Sequence, residues 1–211
     1  MSLLREKEEL DEMNAPTDSQ GGMAFEVASK LASEAVAYLD PYCIRLQVVG
    51  SVRRQKPGGI HDIEVLCVPK LVESETTLTP VPALRPETVE TLLVRAPFGY
   101  GRPDKNGRAA PFSDKYYRLT YKQEGFDLFV CQPPAEWGLL ELIRTGPADF
   151  SHKFVTRLWE YGLRSRDGHI EDAKGKRVPT PEEADAFRAC RLQYIEPKDR
   201  TVEKLRRGLG I

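Results

Sequence analysis

The sequence predicts a mixed α and β fold up to about residue 133, followed by a smaller helical and hairpin unit. Apolar residues alternate in short segments such as "CIRLQVV", which is typical of strands. They follow a helical period in segments such as "MAFEVASKLASEAVAYLD". The paired Pro133 and Pro134 interrupt both kinds of element. We therefore divide the chain into a charged arm (1–22), a main unit (23–133) and a smaller unit (134–211).

Composition restricts the class of protein. The 211 residues are enough to bury a core, and 40% hydrophobic with 30% charged residues is typical of soluble globular proteins. No apolar run approaches the length of a membrane span, and the N-terminus lacks a signal-peptide core. We expect a cytoplasmic protein without membrane contact. The four cysteines form no CxxC pair, so we expect them to be reduced and structural.

The helices and strands of the main unit are predicted from helix-ending residues and from the spacing of apolar residues. Pro41 should end the first helix, and strands are expected in "CIRLQVV" and over Asp62–Val68. A short helix is predicted in "PETVETLLVRA". The segments "DKYYRLTYK" and "FDLFVC" predict a β-hairpin, with Glu124-Gly125 as its two-residue turn.

The smaller unit begins with two predicted helices, "PPAEWGLLELIR" and "ADFSHKFVTRLWEYG", and Gly162 should close the second. Trp137 and Trp159 are expected to pack in the core. Two strands, "GLRSRDGHI" and "KRVPT", should precede a helix capped at Thr180-Pro181-Glu182-Glu183.

Three acids lie within apolar strand sequences. Asp62 and Glu64 are two residues apart, so both project to the same face of a strand. Their charges should repel unless a cation lies between them. Asp127 lies among Phe126, Leu128 and other apolar residues, where a carboxylate is costly unless it is paired or bound to metal. Hard oxygen ligands suit Mg²⁺, and three such acids could hold two ions for phosphoryl transfer.

A Gly-Ser pair precedes the acids. Gly50 would let the backbone approach a ligand closely, and Ser51 would add a hydroxyl donor. Arg53 and Arg54 would add planar cationic groups for phosphate oxygens. Taken singly, an Asp-x-Glu strand is often solvent-facing or salt-bridged, and Gly-Ser is often only a turn. Their order along the chain favours a site for metal ions and a triphosphate.

The segment "GSVRRQKPGGIHDIEVL" resembles the signature of the DNA polymerase beta nucleotidyltransferase superfamily, and within it the X-family DNA polymerases. "FDLFV" is similar to the third-acid strand of that family, "RTGPADFSHKF" to its Thr-Gly-Ser segment and "YIEPKDR" to its C-terminal segment. The resemblance covers about residues 24–205 and is greatest to small phage-type members. It implies an α+β fold: a nucleotidyltransferase palm with a mixed, mostly antiparallel sheet and flanking helices, then a thumb-like nucleotide-binding subdomain.

The resemblance also implies roles for the acids and the Gly-Ser pair. Asp62, Glu64 and Asp127 would bind two Mg²⁺ ions, for which Mn²⁺ could substitute. Asp127 would be the general base for the primer 3′-hydroxyl or lie closest to it. Ser51 and Arg54, with Gly50 beside them, would hold the β- and γ-phosphates.

Further roles fall in the smaller unit. Thr145 and Gly146 would lie along the sugar and base of the nucleotide, and the Gly146–Pro147 bond is expected to be cis. Ser151 stands where the family has an Asn that reads the base.

Two departures from the family bear on the site. Ile143-Arg144 replaces an aromatic pair, so contacts with the sugar are expected to differ. Gly125 stands where the family carries a basic residue beside the third acid, so we expect Lys122 to face Asp127 across the hairpin.

The function expected from the resemblance is that of a minimal X-family DNA polymerase, acting as a monomer. It would add dNMP from a dNTP to the 3′-hydroxyl of primer-template or gapped DNA and release pyrophosphate. Residues 1–22 are too short for the lyase domain of larger relatives. Transfer to a protein, RNA or small molecule is one alternative, and a non-catalytic nucleotide- or DNA-binding module is another. DNA repair and phage replication both remain open as its biological setting.

Overall fold

The computed structural model describes residues 21–74, 77–93, 97–103 and 106–207, so the predicted arm lies outside the described residues except for Gly21 and Gly22. The helices within these ranges are α1 (Phe25–Leu39), α2 (Gly50–Arg53), α3 (Pro86–Leu93), α4 (Trp137–Thr145), α5 (Ala148–Leu158), α6 (Glu183–Ala189) and α7 (Val202–Arg207). The strands are β1 (Cys43–Val48), β2 (Asp62–Pro69), β3 (Leu71–Val72), β4 (Val81–Pro82), β5 (Phe98–Tyr100), β6 (Phe112–Ser113), β7 (Tyr116–Tyr121), β8 (Glu124–Val130), β9 (Leu163–Arg166), β10 (His169–Asp172) and β11 (Arg177–Val178).

The main sheet has the strand order β1-β2-β8-β7-β5, with β6 paired to β7. Strands β2 and β8 run parallel, and the other pairs of this sheet are antiparallel. The expected α+β class, with a mixed sheet and flanking helices, is therefore confirmed. Because β2 and β8 are parallel neighbours, their N-terminal ends, which carry the acids, lie at the same edge of the sheet.

The hairpin of β7 and β8 forms, but its predicted turn is wrong. Tyr121 pairs with Glu124, so Lys122 and Gln123 form the two-residue turn. Both have positive φ (47° and 72°), as a type I′ turn requires. Gly125 lies inside β8 beside β2, where an added Cβ would overlap the Asp62 carboxylate. This glycine therefore serves the close approach of two strands rather than a turn.

The smaller unit corrects two further predictions. The segment "GLRSRDGHI", expected as one strand, is the β9–β10 hairpin, because Asp167 and Gly168 take positive φ (45° and 79°) and reverse the chain. Helix α6 begins at Glu183 with a capping box between Glu182 and Asp185, so Thr180 is not its cap.

Three apolar clusters form the core of the described part of the chain. The largest packs α1 against one face of the sheet, including Ile63, Phe126 and Leu128. A second lies within the smaller unit around Phe154 and Phe187. The third joins Leu66 and Phe129 on the opposite face of the sheet to Trp137 of α4. Helix α4 therefore covers part of the face that carries the acids, at the end away from Asp62.

The prediction that both tryptophans pack in the core is confirmed for one of them only. Trp137 is buried as expected, whereas the prediction for Trp159 is wrong, because its side chain is 71% exposed. Helix α5 ends at Leu158, which is fully buried, and the following 3₁₀ turn directs Trp159 outward.

All four cysteines are free and buried. None of the helices in the described part of the chain has the length and apolar character of a membrane span.

Replacement of Leu128 by Ala should destabilise the protein by about 2–5 kcal/mol, because this fully buried side chain lies in the α1–sheet cluster. Urea unfolding followed by circular dichroism measures the change. Ile44→Ala is the control: Ile44 is 71% exposed on β1, and its truncation should change the free energy of unfolding by less than about 0.5 kcal/mol. Equal losses for both variants would contradict this assignment of the core.

Candidate functional site

The three predicted acids lie together on one face of the sheet. Glu64 of β2 is the register partner of Asp127 of β8, and Asp62 is the partner of Gly125. Partners on neighbouring strands point to the same face and lie about 4.8 Å apart. The pairing thus brings together carboxylates that are far apart in the sequence.

This grouping is electrostatically unfavourable for the charged carboxylates. Burial, followed by the nearby charge of Asp127, raises the pKa of Glu64 from its ordinary 4.5 to about 7. The same two causes, in the same order, raise the pKa of Asp62. Arg54 opposes the shift at Glu64 but does not cancel it. The site therefore has an excess of desolvated negative charge that a bound cation would relieve.

Asp127 is held by two side chains of β7. Arg118, its register partner, donates from Nε to Oδ1 (3.0 Å) and from Nη2 to Oδ2 (3.1 Å). The Tyr116 hydroxyl donates to Oδ1 (2.9 Å). Lys122, expected in this position, instead pairs with Glu34 of α1 (2.9 Å), so that prediction is wrong. The observed turn lies two residues before the predicted one. Arg118, four residues before Lys122, therefore lies opposite Asp127.

The carboxylate groups point towards different neighbours. Asp127 faces Arg118. The Glu64 carboxylate lies so close to Gly50 that a Cβ there would overlap it, and a Cβ at Gly125 would overlap the Asp62 carboxylate in the same way. Within the described ranges, no set of three or more acid, histidine or cysteine side chains is arranged to hold a metal ion. The backbone brings the three acids together, and a shared ion would require their side chains to turn.

Ser51 and Arg54 lie beside Glu64. Gly50, with φ of 62°, passes so close to Glu64 that a side chain there would overlap the carboxylate. Arg54 donates from Nη2 to the Ser51 hydroxyl (2.9 Å) and from Nη1 to the Thr145 carbonyl. The predicted phosphate-binding residues are therefore adjacent to the acids and in direct contact with the predicted sugar-binding segment.

That segment follows α4. The Gly146–Pro147 bond is cis, as predicted, and Gly146 has φ of 70°. A Cβ on Gly146 would lie 3.0 Å from Arg54 Nη1, so this glycine allows Arg54 to pass close to the backbone. Ser151, one turn into α5, is buried and donates its hydroxyl to the Ile143 carbonyl (3.0 Å).

Arg53, the last residue of α2, connects the main unit to the smaller unit. It donates to the Thr145 hydroxyl (2.6 Å) and forms ion pairs with Glu183 (2.8 Å) and Glu141 (3.1 Å). Glu183 also pairs with Arg200 (2.7 Å) and accepts a hydrogen bond from Tyr194 (2.9 Å). The segment "YIEPKDR" thus contributes both of its ends, Tyr194 and Arg200, to the network that positions Thr145.

Arg144 is a cation near the acids that was not predicted as a site residue. The sequence showed only that Ile143-Arg144 replaces an aromatic pair of the family that the chain resembles. Its guanidinium lies 4.1 Å from the centre of the Phe129 ring, and Tyr116 stacks on the same ring (5.0 Å between centroids). Burial lowers its pKa, while the charges of Tyr116, Glu64 and Asp127 act in the opposite direction. The arginine therefore adds positive charge at the border between α4 and the acids.

A cleft of about 520 Å³ opens beside Asp62, at the edge of the site away from α4. Its lining combines one candidate metal ligand, two arginines and the residues around the β7–β8 turn: His61, Asp62, Arg102, Pro103, Arg118, Leu119, Thr120, Gln123, Glu124 and Gly125. Its volume is in the range of small-ligand sites.

Comparison with protein-family models finds no matching family, and comparison with curated proteins finds no matching sequence.

Replacing Glu64 with Gln should stabilise the protein in a pH-dependent way. The pKa of Glu64 is higher in the folded state, about 7, than its ordinary 4.5, so the unfolded chain releases its proton first as pH rises. The free energy of unfolding of the wild type therefore falls as pH rises from 4.5 to about 7, and above about pH 7 this loss of stability is complete. Glu64→Gln should gain roughly 1–3 kcal/mol above pH 7 and nothing below about pH 4.5.

Thermal unfolding of both proteins across this pH range, without added divalent cations, measures the difference. A gain of the same size at every pH would show that ionisation of Glu64 is not its cause.

Proposed function

We propose that this protein is a nucleotidyltransferase of the X-family DNA polymerase type, which adds dNMP to a primer 3′-hydroxyl and releases pyrophosphate. The observation that carries the proposal is the register pairing of Glu64 with Asp127 beside Asp62, next to the Ser51–Arg54 pair. This arrangement supports a nucleotidyltransferase palm over 23–133 and a nucleotide-binding, thumb-like subdomain over 134–211.

The three acids suit Mg²⁺. They offer hard oxygen ligands, and burial together with the charge of Asp127 disfavours the ionised forms of Glu64 and Asp62 unless a cation is bound. Asp62, Glu64 and Asp127 would hold the two ions, although their side chains must turn to do so. When bound, such ions stabilise the charges on the attacking and leaving oxygens of phosphoryl transfer.

The residues around the acids have distinct tasks in this proposal. Arg54 and Ser51 bind the β- and γ-phosphates, since both present donors beside Glu64. Thr145 and Gly146, which Arg53 and Arg54 hold in place, lie along the sugar and base. The primer 3′-oxygen forms a bond to the α-phosphorus, the bond to the pyrophosphate oxygen breaks, and Asp127 accepts the hydroxyl proton.

The acceptor distinguishes the proposal from its alternatives, because the same acids could serve transfer to a protein, RNA or small molecule. The resemblance of the smaller unit favours DNA polymerase, because transferases with other acceptors typically carry different C-terminal parts. Binding without catalysis is less well supported, because all three acids are present.

Primer extension with Mg²⁺ and labelled dNTPs tests the proposal. The wild type should extend recessed or gapped primers, and a chelator should abolish extension until Mg²⁺ is restored. Asp127→Asn should lower the rate about 100-fold or more, because it removes both a metal ligand and the proton acceptor. Arg188→Ala, which alters an exposed ion pair with Asp185 outside the site, is the control and should keep wild-type activity.

Absence of extension by the wild type, or equal extension by Asp127→Asn, would contradict the proposal. Labelling of a protein, RNA or small-molecule acceptor in place of DNA would assign the same site to one of the alternative transferases.

A further inference from the structure

The three-stranded sheet of the smaller unit, β9 to β11, buries one of its faces only. On that face Ile170 of β10 is fully buried in the cluster around Phe154 and Phe187. Its register partners are Ser165 of β9 and Val178 of β11. Because successive residues of a strand point to opposite faces, the residues on either side of Ile170 belong to the other face of this sheet.

Three arginines share that other face. Arg164 and Arg177 are both register partners of Glu171, one on each side of the central strand, and Arg166 is the register partner of His169. Register partners on neighbouring strands carry their side chains on the same face. We call the surface formed by Arg164, Arg166, His169, Glu171 and Arg177 the arginine face.

The flanking strands of the arginine face are exposed, whereas its central strand is buried. Arg164, Arg166 and Arg177 are exposed, and His169 and Glu171 are buried. Glu171 accepts hydrogen bonds from Nε (3.1 Å) and Nη2 (3.0 Å) of Arg164, and Nε2 of His169 lies 2.9 Å from its other oxygen. The buried carboxylate therefore holds Arg164 in place, but its single negative charge does not balance three arginines.

The turn between β10 and β11 adds positive charge at one end of this sheet. The Asp172 carboxylate accepts hydrogen bonds from the backbone N–H groups of Lys174 (2.8 Å) and Lys176 (2.9 Å), and both lysines are exposed. Residues 163–178 include five basic and three acidic side chains, a net charge of +2 with His169 neutral. The sheet is therefore locally basic in a chain whose net charge is −1.

The chemistry of the arginine face suits a row of phosphates better than a protein surface. Among the residues that the structure describes, none of the exposed large apolar side chains lies on β9 to β11, whereas protein interfaces typically have an apolar centre. Arginine presents planar pairs of donors that match two oxygens of one phosphate. Two residues of a strand span about 7 Å and neighbouring strands lie about 4.8 Å apart, so the three guanidinium groups can contact several phosphates of one backbone.

We propose that the arginine face binds the phosphate backbone of DNA, as a contact separate from the three acids and from the nucleotide-binding residues. The inference rests on the proposed function, which supplies DNA as the ligand, but it uses none of the residues assigned to that function. Its task is to raise the affinity for DNA and not to take part in the transfer step.

The position of the face along α4 supports this division of tasks. The N–H of Glu136, at the start of α4, donates to the carbonyl of Gly168 in the β9–β10 turn (2.9 Å). Thr145, at the end of α4, belongs to the network around the proposed nucleotide site. A helix of nine residues is about 13 Å long. DNA on the arginine face is therefore held about one helix length away from the nucleotide.

The salt dependence of DNA binding tests the proposal. A fluorescently labelled duplex with a recessed primer is titrated with protein over a series of KCl concentrations, without divalent cations or nucleotide, and its anisotropy is measured. The proteins are the wild type, Arg166→Gln, Arg177→Gln and the double variant, which change exposed side chains only. The matched control is Arg188→Gln, which removes the same charge from an exposed side chain of α6 that pairs with Asp185.

Each single variant should lower the affinity for DNA about threefold or more and reduce the slope of log K against log[KCl] by about one, because one phosphate contact is lost. The double variant should reduce the slope by about two. Arg188→Gln should keep the wild-type slope. Polyglutamate, added to the wild type at the same concentration of negative charge as unlabelled DNA, should displace the labelled duplex less well than that DNA does.

Three results would overturn the inference: a wild-type slope in the double variant, a loss of slope in Arg188→Gln equal to that in Arg166→Gln, or stronger displacement by polyglutamate than by DNA. The last result would assign the face to an acidic protein. Primer extension, run in parallel, separates this failure from that of the proposed function. If the wild type extends primers and the double variant keeps the wild-type slope, only the role of the arginine face is refuted. If the wild type transfers nucleotides to no acceptor, the proposed function fails, and a reduced slope in the variants still shows that this face binds DNA.

Discussion

The parallel pairing of β2 with β8 is the constraint on which the site depends. It sets Glu64 directly beside Asp127 and Asp62 beside Gly125, on a face where water is partly excluded. Burial of Glu64, followed by repulsion from the neighbouring Asp127 carboxylate, raises its pKa. The sheet keeps this arrangement because the opposite face of the same strands is fully buried against α1, and a register shift by one residue would expose that core.

Arginines lie near the acids, but they do not cancel the upward pKa shifts of Glu64 and Asp62. Arg118 pairs with Asp127 across the β7–β8 hairpin, and Arg54 lies close enough to Glu64 to oppose its pKa shift. Arg144, held on the Phe129 ring, adds charge from α4. Tyr116 connects two of these contacts, because it donates to Asp127 and stacks on the Phe129 ring that holds Arg144.

The smaller unit is joined to the main unit by the apolar cluster around Leu66, Phe129 and Trp137 and also by buried charge. Arg53 reaches Glu183, Glu141 and Thr145, while Arg200 and Tyr194 share Glu183. Such a network depends on every member, because removing one partner leaves a buried charge uncompensated. Since Thr145 belongs to it, the position of the segment along the proposed nucleotide depends on contacts from distant parts of the chain.

The sequence by itself determined what depends on local order. Alternation along a strand placed Asp62 and Glu64 on one face, apolar neighbours marked Asp127 as unusual, and the helices and strands around them formed near their predicted positions. The tertiary structure alone decided which residues meet. Moving the hairpin turn by two residues preserves the alternation, so periodicity could not distinguish Arg118 from Lys122 as the partner of Asp127. Likewise, Trp159 and Leu158 are adjacent and both apolar, and only packing against the smaller unit's core decided which one is buried. Strand register and side-chain burial depend on contacts between segments that are distant in the sequence, so local sequence patterns could not predict them.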